Sequence, residues 1–174
     1  ADNNRNKRCI SVNLSTEEGR QIIRRLVPCC DVVVENFSPR VMNGWGLNHE
    51  DLRELRPDIL MVRLPGFGLT GPYRDYVGLA AVAMAITGMY HLWSYPDDLE
   101  PAGPPVWTPD YLSAAFSSVA LLAALRHRDV TGQGQLIELS QVDTVAYILG
   151  ATYMDNLVNE RISKPVGNRH PDFA

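Results

Sequence analysis

Asp31-Val32-Val33-Val34-Glu35-Asn36-Phe37-Ser38-Pro39 and, further along, Ile59-Leu60-Met61-Val62-Arg63-Leu64 decide the fold. Three consecutive β-branched valines and a second unbroken apolar run read as strands buried on both faces, as parallel strands are in an α/β sheet. Between them, Ser38-Pro39 turns the chain, and short helices are predicted through Met42 and over residues 48–55. Upstream, residues 9–14 alternate apolar and polar and predict another short strand. Ser15-x-x-Glu18 reads as a capping box that opens a helix with Ile22, Ile23, Leu26 and Val27 on one face, and Pro28 closes it. Strand, helix, strand, helix, strand predicts an α/β domain built on a parallel sheet with flanking helices.

The pattern continues downstream. Residues 65–75 form a loop rich in Gly and Pro, and residues 79–89 read as a helix. A proline-rich irregular stretch covers residues 95–109. Asp110 then opens a long apolar helix to about residue 128. Thr131-Gly132-Gln133-Gly134 is a turn, residues 135–139 a strand and residues 141–159 a last helix.

Composition narrows the function classes. A chain of 174 residues, 45% hydrophobic and 21% charged, suits one globular domain with a core. A net charge of -4 argues against a broad nucleic-acid-binding face. The cysteines are Cys9, Cys29 and Cys30. An odd number with two adjacent members is a poor disulfide framework, and with no C-x-x-C spacing no thiolate metal site is expected. A reducing cytoplasm is therefore the expected compartment. The uncharged runs 76–90 and 111–125 fall short of the roughly 20 residues of a membrane span and are read as buried helices, with no membrane partner. The polar opening Ala1-Asp2-Asn3-Asn4-Arg5 does not read as a secretion signal.

Several strings are candidates for chemistry. Gly66-Phe67-Gly68-Leu69-Thr70-Gly71 matches G-x-G-x-x-G after a predicted strand. A dinucleotide site also needs the string to open a helix, and Pro72-Tyr73-Arg74-Asp75 follows instead. The loop is better read as one whose backbone shapes a ligand cleft. Asp110 is either a helix N-cap or a carboxylate nucleophile, already ionised at neutral pH. Glu35-Asn36-Phe37 ends a strand, where a parallel sheet presents residues to a ligand crevice or simply turns. Phe37 could stack on a base or pack in the core. Asn6-Lys7-Arg8 is a small basic cluster that reads as solvated surface. His49, His91, His127 and His170 lack metal-ligand spacing.

Taken in order, these strings resemble one family. Asn4-Arg5-Asn6-Lys7-Arg8, the run from Asp31 to Pro39, Gly66-Phe67-Gly68-Leu69-Thr70-Gly71-Pro72-Tyr73, Asp110 before an apolar helix, Thr131-Gly132-Gln133-Gly134-Gln135 and Gly167-Asn168-Arg169-His170-Pro171 resemble the family III CoA-transferases. That is the formyl-CoA transferase and carnitine CoA-transferase group. The resemblance covers the whole chain. It implies a Rossmann-like parallel sheet with flanking helices, the central part of the family's large domain. It also implies a longer protein, with N-terminal strands and a C-terminal small domain outside residues 1–174.

The activity implied is transfer of coenzyme A between an acyl-CoA thioester and a free carboxylic acid. The partners implied are an acyl-CoA donor, an acid acceptor and a second copy in an interlocked homodimer, with no metal. Asp110 stands at the family's nucleophilic aspartate, which forms an aspartyl anhydride and then an aspartyl-CoA thioester. Asn36, Phe37 and Ser38 match a segment that touches the nucleotide part of CoA, and Val12, Asn13, Leu14 and Ser15 match a second. Val77, Gly78, Leu79 and Ala80 match a third, along the pantetheine channel. Ser15 stands where many members carry a basic residue, and Gly44, followed by Trp45, replaces a residue that is often Arg. The stretch His91-Leu92-Trp93-Ser94-Tyr95-Pro96-Asp97 resembles the branch that acts on succinyl-CoA and aromatic or dicarboxylic acids.

Other readings remain open. The α-methylacyl-CoA racemases pair an aspartate at the Asp110 position with a histidine in a Gly-His-Asp string, where this chain has Gly78-Leu79-Ala80. A non-catalytic subunit of a hetero-oligomeric transferase is a further reading, against which the retention of Asp110 speaks. A dinucleotide-binding domain comes last.

Overall fold

The computed structural model describes residues 2–97, 103 and 107–169. Its centre is a three-stranded parallel sheet in the order β1 (Val32–Glu35), β2 (Leu60–Arg63), β3 (Leu136–Glu138). The register pairs Val32 with Leu60 and Glu35 with Arg63 on one side, and Met61 with Leu136 and Arg63 with Glu138 on the other. The mixed α/β class with a parallel sheet is as expected. Because all three strands run the same way, their carboxyl ends share one edge, and the segments beginning at Asn36, Leu64 and Leu139 leave it together.

One layer packs on the Met61 face of the sheet: α1 (Glu17–Leu26), α2 (Pro39–Trp45) and α3 (His49–Leu55). Val27, Met42, Leu47, Leu52, Ile59 and Met61 form its core, with Ile23, Val33 and Trp45 against it. Side chains alternate along a strand, so Leu60 and Val62, both fully buried, face the opposite layer. That layer holds α4 (Ala80–Ile86), α5 (Met89–Leu92), α6 (Thr108–Thr131), α7 (Gln141–Ile148) and α8 (Gly150–Asn159). Met84, Met89 and Val145 are its centre.

The structure corrects several local expectations. Residues 9–14 form no strand. Asn13 Oδ1 instead accepts from Ser15 N (3.0 Å) and Ser15 Oγ (2.6 Å), and Asn13 O accepts from Thr16 N. Short polar side chains of this kind offer the backbone an alternative to a ladder. With Ser15 so engaged, the cap of α1 is Thr16, which accepts from Gly19 N, and the reciprocal capping box occurs at Asn48 and Asp51. Ile22 and Leu26 are exposed; only Ile23 and Val27 turn inward. Strand β1 is half-buried, with Val34 59% exposed, because it pairs with β2 alone and no described helix covers that face.

The two apolar runs are not wholly buried helices. The first breaks at Gly88, in the left-handed region at φ 75°. In the second, α6 exposes Tyr111, Val119, Leu122 and Val130. A 24-residue helix is about 36 Å long, whereas a four-residue strand covers about 13 Å of it. By length and composition alone, α6 is the one helix among the described residues that could cross a membrane. The last helix is likewise two, divided at Leu149 and Gly150.

Candidate functional site

Helices α6 and α7 lie side by side and run parallel. Asp110 meets Gln141, Ser113 meets Thr144 through a buried hydroxyl pair at 3.0 Å, and Phe116 meets Tyr147 edge to face at 5.5 Å. Each step of three residues on one helix is matched on the other, so their amino ends stand together at the carboxyl edge of the sheet.

Asp110 is the third residue of α6 and not its cap. The cap position is Trp107, which makes no side-chain capping bond. The N-cap reading is thereby corrected: the Asp110 carboxylate faces sideways, and its Oδ1 accepts from Gln141 Nε2 at 2.8 Å. Asp110 is exposed and opens into a cleft of about 260 Å³ whose other walls are Leu79, Ala80, Ala81 and Trp107.

Gln141 is buried and held by its backbone. Its N–H donates to Pro65 O at 3.3 Å and its carbonyl accepts from Thr144 Oγ1 at 2.8 Å. Ser140, the cap of α7, donates from Oγ to Gly66 O, which also accepts from Val142 N. The loop after β2 is thus bonded to the start of α7.

That loop also touches the Asp110 wall. Gly66 and Gly78 cross backbone to backbone: a Cβ on Gly66 would lie 2.2 Å from Gly78 Cα, and one on Gly78 would lie 2.3 Å from Gly66 Cα. Only hydrogen fits between them. The crossing places residues 77–81 between two clefts. The first is the Asp110 cleft. The second, about 60 Å³, is lined by Asn36, Phe37 and Ser38, by Gly66 and Phe67, and by Arg74, Tyr76, Val77 and Gly78.

The Asn36 turn is set from below. Glu35 and Arg63 end β1 and β2 opposite one another, both buried, and Arg63 Nε donates to Glu35 Oε1. Glu35 Oε2 accepts from Phe37 N at 2.7 Å, and Arg63 Nη2 donates to Pro39 O at 3.2 Å. Phe37 packs edge-on against Trp45 at 5.3 Å and stays 43% exposed, so it lies at the rim of the core and not inside it. Next in the chain to the lining residues Pro39 and Arg74, Arg40 binds Asp75 through two nitrogens, at 3.1 and 3.0 Å. The Arg40 guanidinium holds the Asp75 carboxyl below the usual carboxylate range.

The structure therefore brings Asn36, Phe37, Ser38, Val77 and Gly78 around one cleft, and Leu79, Ala80 and Asp110 around the next. Val12, Asn13, Leu14 and Ser15 border neither; they form the turn before α1, where Leu14 O and Ser15 O accept from Arg20. The glycine string opens no helix: Gly68 and Gly71 are left-handed at φ 81° and 88°, and α4 begins only at Ala80. Residues missed in the sequence are Gln141, Arg74 and Trp107. Gln141 had a signal, since it follows a strand's carboxyl end as Asn36 does. A roomier cavity of about 420 Å³ lies between Met89, Trp93, Ile148 and Asn168, and none of the described residues in its walls is a carboxylate, histidine or cysteine.

The profile of CoA-transferase family III matches residues 1–174. The chain belongs to that family. Family III relatives include the succinyl-CoA–D-citramalate CoA-transferase of Chloroflexus aurantiacus, 35% identical over 98% of this chain and 42% of the relative. The succinate–glutarate CoA-transferase of Agrobacterium fabrum is also 35% identical, over 98% of this chain and 42% of its own. The crystal structure of a CAIB/BAIF family protein from Brucella suis superposes with a TM-score of 0.89 at 35% identity, over 97% of this chain and 44% of that one. The chain thus spans about two fifths of the length of the curated relatives it matches.

Proposed function

We propose that the complete protein carrying this chain transfers CoA between an acyl-CoA thioester and a free carboxylic acid, with Asp110 as nucleophile. The observation that carries this is the placement of an exposed carboxylate, held by Gln141, in a cleft walled by Leu79 and Ala80, with the Asn36 cleft on the other side of the same segment, at Val77 and Gly78. Asn36, Phe37, Ser38, Val77 and Gly78 would bind the nucleotide end of CoA, with the Phe37 ring as a stacking surface and Arg74 as a phosphate partner. Leu79 and Ala80 would line the pantetheine arm. Val12, Asn13, Leu14 and Ser15 would join from the turn before α1 only if the bound CoA extends past both clefts.

One Asp110 oxygen attacks the thioester carbonyl carbon, the C–S bond breaks and CoA leaves as thiolate. The thiolate attacks the Asp110 carbonyl of the resulting anhydride, expels the donor acid and leaves an aspartyl-CoA thioester. An acceptor carboxylate reverses the sequence. A thioester replaces a thioester, so neither ATP nor a metal is required, and the covalent route divides one hard step into easier ones. The named activities of the two curated relatives favour dicarboxylic donors and acceptors. Residues 1–174 would be the central part of the large domain. The assembly would be an interlocked homodimer, working in the cytoplasm, where Cys9, Cys29 and Cys30 stay thiols.

The test is Asp110→Asn in the complete protein. Asn keeps the bond to Gln141 but cannot form the anhydride, so melting should be unchanged and CoA exchange lost. Exchange at the wild-type rate by Asp110→Asn would eliminate the nucleophile.

A further inference from the structure

We propose that Gln141 is a second catalytic residue, the donor that stabilises the oxyanion formed on the Asp110 carboxyl group. The inference rests on the reading of Asp110 as nucleophile and assigns a role to each of its two oxygens.

The geometry is one-sided. Asp110 Oδ1 accepts from Gln141 Nε2 at 2.8 Å, whereas no side chain among the described residues donates to Oδ2, and the carboxylate is exposed to the cleft. An ionised carboxylate only accepts, so the amide must present its NH₂ group and not its oxygen. Gln141 is not free to follow a moving partner. It is buried at the first turn of α7, its backbone N–H is bonded to Pro65 O, and its carbonyl is bonded to Thr144 Oγ1. Thr144 in turn meets Ser113 of α6, one turn below Asp110. The amide is therefore fixed to the same two helices that fix the carboxylate.

Consider the chemistry at the Asp110 carbonyl carbon. Oδ2, the unencumbered oxygen, attacks the donor thioester and becomes the bridging oxygen of the anhydride. Oδ1 remains as the aspartyl carbonyl oxygen, still bonded to Gln141. When CoA thiolate attacks that carbon, the π electron pair moves onto Oδ1. The tetrahedral oxyanion thus forms on the atom already 2.8 Å from a buried donor. Collapse returns the pair, breaks the bond to Oδ2 and releases the donor acid, which carries Oδ2 away. Attack by the acceptor carboxylate places the charge on Oδ1 once more. A preorganised donor at such an atom is typically worth 100- to 1000-fold in kcat.

Two variants of the complete protein test this, each beside wild type and Asp110→Asn. Gln141→Leu keeps the bulk and removes the donor; its kcat should fall about 100- to 1000-fold with KM for acyl-CoA changed by less than about threefold. Hydroxylamine trapping on Asp110 should survive, because the first attack does not require Gln141. Gln141→Glu keeps the shape; its activity relative to wild type should be lowest at high pH and recover as pH falls, since only a protonated Glu side chain donates. A Gln141→Leu enzyme with kcat within about threefold of wild type would overturn the assignment. If Gln141→Leu does not fold, the pH profile of Gln141→Glu decides, and a profile parallel to wild type overturns it. A dead Asp110→Asn with a fully active Gln141→Leu removes only the role of Gln141. An active Asp110→Asn removes the nucleophile and this inference with it.

Discussion

Gly66→Ala is a small change whose effect can be worked from the coordinates. The added Cβ would lie 2.2 Å from Gly78 Cα, against about 3.4 Å for an ordinary contact. Both atoms belong to the backbone, so no side-chain rotation relieves the clash, and the two segments must part by about 1.2 Å. Gly66 cannot retreat alone, because its carbonyl carries Ser140 Oγ and Val142 N at the start of α7. If the loop moves, Gln141 moves with it; if residues 77–79 move, the Leu79 and Ala80 wall leaves Asp110. Either route misplaces a group by about 1 Å, a displacement that can cost about 100-fold in rate, or about 2.7 kcal/mol of transition-state stabilisation. The overpacking itself should cost about 1–3 kcal/mol of stability. The assay is CoA exchange between acyl-CoA and free acid in the complete protein, with thermal melting on the same sample. Gly44→Ala is the control, since nothing lies within 4 Å of its Cβ and it sits inside α2. It should raise stability by up to about 1 kcal/mol and leave exchange unchanged. A folded Gly66→Ala enzyme with wild-type kcat/KM would refute the argument that this crossing sets the site.

Two further outcomes follow from buried charge. Arg63→Met leaves Glu35 buried without its ion partner and should cost about 3–5 kcal/mol, with KM for acyl-CoA raised as the Asn36 turn loosens. The double variant with Glu35→Leu should recover much of the stability in urea melts, and strict additivity of the two losses would contradict the pairing. His49 is buried, its Nε2 has no hydrogen-bond partner among the described residues, and burial pushes its imidazole below the ordinary value of 6.5 against the opposing pull of Glu50. The unfolded chain then takes up a proton that the folded chain refuses, so stability falls as pH drops below about 6.5 and levels off under the folded value. His49→Leu should flatten that part of the pH–stability curve relative to wild type; an unchanged slope would count against a buried neutral His49.

Much of this protein was determined by local sequence. Val32-Val33-Val34 and Leu60-Met61-Val62 read as strands and form them, and the capping chemistry around Asn48 and the left-handed Gly132 bound their helices. The family motifs marked Asp110 because they are strings of neighbouring residues. Tertiary structure decided what local pattern cannot encode. The turn at Asn13 outcompeted an alternating strand pattern because its side-chain bonds are nearer than any partner strand. Helix α6 keeps an apolar face outward because burial depends on what lies opposite, not on hydrophobicity alone. The Gly66–Gly78 crossing and the Gln141–Asp110 bond join residues 12 and 31 positions apart in the chain. Parallel strands bring their carboxyl ends to one edge whatever the length of chain between them, and only there do these residues become neighbours.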